Sequence, residues 1–184
     1  MASYENWSHA IAAYCTAGAP TGSAIFLSID GDAIGEVAAG FMEESLSDSP
    51  ERDFLSAVRR QVVEPYGDSV CVSGLRGSSD GVPSGVAFLA LMVFAAYNMQ
   101  EEEGIDEANY FLRLREALGM PTLQGRPVGM ATGAEEPLWM AWNHYLAHAG
   151  FQATAERGSG PQTYLRYALS QAILREADRQ YLRQ

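Results

Sequence analysis

The sequence contains no lysine, so all 12 of its basic side chains are arginine. A GC-rich codon bias accounts for that choice without any functional reason. Cysteine is nearly absent too: Cys15 and Cys71 stand alone, outside any CxxC or Cys/His ligand spacing. No disulfide framework follows from them, and both thiols read as small buried apolar residues. There is no long hydrophobic run. The most apolar stretch, Val86 to Tyr97 (VAFLALMVFAAY), is about a dozen residues where a membrane span needs roughly 20. The opening MASYENWSHA has neither the basic region nor the apolar region of a secretory signal. These absences predict a cytoplasmic protein that makes no membrane contact. Motifs of familiar chemistry are missing as well. No Walker A loop is present, and no Gly-x-Gly-x-x-Gly follows a predicted strand. The histidines lack a flanking nucleophile motif, so no Ser/His/Asp or Cys/His catalytic set can be assembled.

What is present suffices for an ordinary core. With 184 residues, 47% hydrophobic and 19% charged, the composition is that of a folding chain rather than a disordered one. The length suits one globular domain over residues 1–184, burying roughly two-thirds of its unfolded surface. The last amphipathic pattern is still running at Gln184, as expected of an N-terminal module of a longer protein. Charge is uneven. The formal net charge is −11; residues 1–150 carry seven Arg against twenty acidic residues, and residues 151–184 five Arg against three. An acidic bulk repels phosphate backbones, which disfavours nucleic acid as a general partner.

Periodicity predicts about seven helices and two to four short strands. Trp7, Ile11, Tyr14 and Cys15 share one helical face, and Ala24 to Ile29 reads as a buried strand. Asp30 caps a helix running through Met42, and Ser49-Pro50-Glu51 is a strong helix start. Ser69 to Ser73 is a second strand candidate, followed by a Gly/Ser/Asp-rich loop. Residues 83–99 form the most apolar helix, expected to lie buried at the centre. Further helices follow Asp106 and span Glu135 to Ala149, with a Gly- and Pro-rich connection between them. Phe151–Ala155 and Thr163–Leu169 flank GSGP as a C-terminal hairpin, and Ser170 caps a last helix. The fold class expected is α+β, predominantly helical, packed around the central helix 83–99.

Three constellations carry potential chemistry. The string Phe26-Leu27-Ser28-Ile29-Asp30-Gly31-Asp32 ends a strand with two carboxylates, a donor set suited to Mg²⁺ or Mn²⁺. It resembles the first metal-binding motif of palm-type nucleotide cyclases and minimal CRISPR polymerases. That resemblance implies a divalent metal on Asp30 and Asp32 and a nucleotide or phosphoester substrate. The family's second acidic motif, commonly Gly-Gly-Asp-Asp on a hairpin, has only Gly77-Ser78-Ser79-Asp80 to match it here, with Asp80, or Glu36 one turn after Asp32, as the candidate third ligand. The same residues read more simply as a helix N-cap, Asp30, and a first-turn acid, Asp32, favoured by the helix dipole.

His144 and His148, four apart, share a helix face that can chelate a borderline metal, or they are a solvated pair on the polar side of that helix. Arg175, Arg179 and Arg183 form one row on the last helix, with Arg166 and Arg157 before it. Arg matches phosphate and carboxylate groups bidentately, so this row is the candidate anion- or partner-binding face; a solvated helix face is the plainer reading. The aromatic and Met residues fall at core spacing and imply no cofactor. Weighed together, these features favour a non-enzymatic interaction or regulatory domain of a bacterial cytoplasmic protein, regulatory or defence-associated, with a protein partner. A divalent-metal enzyme using Asp30 and Asp32 is the alternative, and anion or nucleic-acid binding by the C-terminal Arg face the third.

Overall fold

The computed structural model describes residues 2–42, 49–99, 107–121, 125–153 and 168. Within them lie six α-helices: α1 Tyr4–Thr16, α2 Gly31–Phe41, α3 Pro50–Val62, α4 Val86–Asn98, α5 Glu107–Ala117 and α6 Glu136–His148. Four strands of two residues each accompany them: β1 Ala24–Ile25, β2 Ser78–Ser79, β3 Val82–Pro83 and β4 Gln152–Ala153. The protein is predominantly helical. The helix expected after Ser170 lies outside the described residues.

Local chemistry sets the starts of the first three helices. Ser3 Oγ accepts the Asn6 amide hydrogen at α1, and Ser49 Oγ accepts that of Arg52 at α3, where Pro50 occupies the first turn. Asp30 Oδ1 accepts from the Ala33 N–H at 2.7 Å and starts α2.

Helix α4 has no polar face, and a helix apolar all round must be covered on every side. Each residue from Val86 to Ala96 is buried, and α1, α3, α5 and α6 pack around it. Its N-cap position is Gly85, which has no side chain to offer. The freed amides are served from α1 instead: Ala87 N–H donates to Ser8 Oγ and Phe88 N–H to Tyr4 Oη. Tyr4 Oη in turn donates to the Ser84 carbonyl at 2.8 Å. A second tie runs from α3, where the buried Asp53 carboxylate accepts from the Ala2 N–H (3.0 Å) and the Trp7 indole N–H (3.2 Å) through Oδ2.

The structure departs from the sequence expectations at three places. The central helix begins at Val86 rather than Pro83, because Val82–Pro83 pairs antiparallel with Ser78–Ser79. Asp80 (φ 47°) and Gly81 (φ 84°) make the two-residue turn between them, the chemistry an Asp-Gly pair supplies in a hairpin. Ser69 to Ser73 forms no strand. Val70 N–H donates to the Val128 carbonyl and Cys71 N–H to that of Val62, after which Ser73–Arg76 tightens into a 3-10 turn. These two bonds reach different segments, so no ladder forms. The third departure concerns the C-terminal hairpin. Gln152–Ala153 pairs parallel with Ala24–Ile25, because Gly150 (φ 84°) turns the chain after α6 back toward β1. Gly22 N–H donates to the Gly150 carbonyl and Gln152 N–H to that of Ser23, fixing the register. Of Thr163–Leu169, only Ala168 is among the described residues, and it is helical and fully buried rather than extended.

Candidate functional site

Asp30 is buried, with one carboxylate oxygen engaged by the first turn of α2, while Asp32 points to solvent. Asp80 sits exposed at the tip of the β2–β3 turn. Among the described residues no three His, Cys, Asp or Glu side chains gather as a cation site requires, so Asp80 is not brought to Asp30 and Asp32. His144 and His148 are both exposed on α6, and His148 Nδ1 donates to the His144 carbonyl at 2.9 Å. Arg157, Arg166, Arg175, Arg179 and Arg183 lie outside the described residues.

The two cysteines correct the sequence reading. Neither is buried; both are partly exposed and neither is in a disulfide. Cys71 Sγ lies 3.2 Å from Ser73 Oγ. That hydroxyl and the Ser73 amide, helped by the Tyr66 phenol and the Gly74 amide, pull the Cys71 thiol below its ordinary pKa. The tight turn into Ser73–Arg76 aims these donors at the sulfur, an arrangement set by backbone geometry rather than by any Cys motif.

A concave feature runs between α3 and α5. Two adjoining clefts of about 410 and 400 Å³ share Glu51, Leu55, Glu116 and Ala117. At one end lie Arg59, Glu64 and Gly119, and at the other Phe94, Asn98 and Arg113. Gly119 (φ 62°) ends α5 in a left-handed residue, and its missing side chain leaves room for the Arg59 guanidinium, 2.5 Å from where a Cβ would stand. The groove's charges pair along its walls, with Arg113 Nη1 2.6 Å from Glu116 Oε2 and Arg59 Nε 3.8 Å from Glu64 Oε1. With Arg52 and Glu51 added, three arginines face three glutamates over a floor of Leu55, Phe94 and Ala117. Sequence reasoning missed this groove because each wall alone looks like a solvated helix face. Only the packing of α5 on α4, and of α4 on α3, sets the two faces opposite each other.

A last chemical feature is Glu135, just before α6. Its side chain has no exposure, and neither carboxyl oxygen has a hydrogen-bond partner among the described residues. Burial pushes its pKa up to about 7, an effect that its own amide and the Arg126 guanidinium only partly offset. The sequence signal was a pair of acids ahead of Pro137, which reads as an ordinary first turn. No family model matches the chain, and neither does any curated protein or solved structure.

Proposed function

We propose that this chain is a non-enzymatic interaction or regulatory domain of a bacterial cytoplasmic protein, and that it docks a segment of a partner protein in the α3–α5 groove. The groove itself carries the proposal. Its length along two helices suits an extended or helical peptide better than a small molecule. Its apolar floor of Leu55, Phe94 and Ala117 offers area to bury, and its six rim charges offer register. The equal count of Arg and Glu selects against a polyanion, whose attraction needs uncompensated positive charge. The C-terminal row Arg166, Arg175, Arg179 and Arg183 would give such a partner, if acidic, a second contact that steers its approach.

The test is site-specific photo-crosslinking in the cell of origin. A crosslinking side chain at position 55, on the groove floor, should trap one discrete protein adduct. The same group at Glu5, exposed on α1, should not. Adding Glu116→Arg should suppress the adduct at position 55. Equal adducts at both positions, or an adduct indifferent to Glu116→Arg, would refute docking at this groove.

A further inference from the structure

We propose that Glu135 is a proton-operated catch: with its carboxyl neutral it seats the connection 125–135 and the first turn of α6 in the core, and on ionising it loosens them. A carboxyl with zero exposure and no partner for either oxygen is tolerated when neutral and is costly when charged, because an ion moved out of water without compensation loses its solvation.

The connection leading to it is seated by the buried Met130, by the Val70 N–H on the Val128 carbonyl and by two arginines. Arg115, itself buried, donates through Nε to the Gly125 carbonyl (2.9 Å) and through Nη2 to that of Arg126 (2.6 Å). Arg126 stacks over the Phe111 ring at 5.1 Å and donates to the Ala131 carbonyl. The segment is thus tied along its start and middle, and at its end stands Glu135, whose carboxyl oxygens have no hydrogen-bond partner among the described residues.

Among the described residues, the charges bearing on that carboxyl are those of Arg126 and Glu136. Arg126 lowers its pKa and Glu136 raises it, both less than burial does. Among the described residues, the elements packed most extensively on α6 are α4, β3 and β4, which bring no Asp, Glu, His or Arg, and the Ser73–Arg76 turn, whose Arg76 is exposed. His144 and His148 sit exposed on the later turns of α6, so their contribution must be separated from that of Glu135 by experiment.

The sign follows from linkage. The folded pKa of about 7 stands above the ordinary value of 4.5. The folded state therefore holds the proton more tightly, and the closed segment is most favoured below pH 4.5, losing ground as pH rises to about 7. Above that the penalty is constant.

Hydrogen–deuterium exchange on the intact chain, corrected for the intrinsic pH dependence of exchange, tests this directly. Peptides covering 125–140 should lose protection by roughly 10-fold between pH 5.5 and 7.5, while α2 peptides serve as an unmoving reference. Glu135→Gln should remove the slope. A wild-type segment with no slope, or a slope retained in Glu135→Gln, would overturn the proposal. If Glu135→Gln does not fold, the His144→Gln/His148→Gln variant decides: a slope that persists there supports Glu135, and one that vanishes assigns it to the histidines and refutes the catch.

Discussion

Tyr4 and Phe88 are 84 positions apart, yet the Tyr4 hydroxyl accepts the Phe88 amide hydrogen at 3.3 Å and donates its own hydrogen bond to the Ser84 carbonyl. One phenol thus satisfies a donor and an acceptor at the uncapped start of α4. Burial pushes that phenol far above its ordinary pKa, so it stays a neutral donor throughout the working range. Ser8, one turn along α1, accepts the Ala87 amide hydrogen. The first helix is in effect the N-cap of the most buried one.

Tyr4→Phe keeps the ring and removes only the oxygen, leaving the Phe88 N–H and the Ser84 carbonyl without their partner. It should lower stability by about 1–3 kcal/mol, the cost of stranding buried polar groups. Urea denaturation measures it, and the Phe88 amide should lose exchange protection in parallel. A loss below about 0.3 kcal/mol would mean that α4 is capped by other means.

The parts of this fold that were legible in the sequence are those written within a few residues of each other. Asp30 as the cap of α2, and Ser49-Pro50 as the start of α3, follow from side chains that reach their own backbone three residues on. What could not be read is written at long range. Nothing within α4 says that Tyr4 and Ser8 will serve its amides, and nothing near Ala24 names Gln152 as its strand partner. The candidate groove shares that fate, since Leu55 and Ala117 acquire a common cleft only through the helix packed between them. Asp80-Gly81 was local and was missed, the hairpin turn being read as an undifferentiated loop.

Cys71 should be the more reactive of the two thiols. Reactivity follows the thiolate fraction, and the Ser73 hydroxyl and amide favour the charged sulfur. Limiting iodoacetamide at pH 7, read by peptide mass spectrometry, should label Cys71 faster than Cys15. Ser73→Ala should slow it by removing the largest contribution. Equal labelling of the two cysteines would contradict the arrangement.

Gly129 and Gly125 have nearly the same backbone angle, φ 84° and 82°, and opposite surroundings. A Cβ on Gly129 would stand 2.6 Å from the Val70 carbonyl oxygen, while one on Gly125 meets nothing within 4 Å. Gly125→Ala should therefore cost only the left-handed strain, about 1 kcal/mol. Gly129→Ala adds a backbone clash in the segment whose Val128 carbonyl holds the Val70 amide, and should cost clearly more. Thermal melts of the pair give the comparison, and similar melting temperatures would mean that the 69–71 strip yields freely.

Asp30 offers the sharpest separation of a cap from a metal ligand. Its Oδ1 lies 2.7 Å from the Ala33 N–H, and the residue is only 6% exposed. To hold Mg²⁺ or Mn²⁺ it would have to give up that bond or share the carboxylate, and Asp32, its neighbour in the motif, faces solvent. Asp30→Ala should then lower stability by about 1 kcal/mol, the usual cost of a lost N-cap. Asp30→Asn should recover most of it, because Asn caps about as well while losing the charge a hard cation needs. Calorimetric titration with Mn²⁺ should give the same small response in all three proteins. Sub-millimolar, stoichiometric binding in the wild type that disappears in both variants would instead place a metal on this strand end and restore the phosphoester chemistry that the motif resembles.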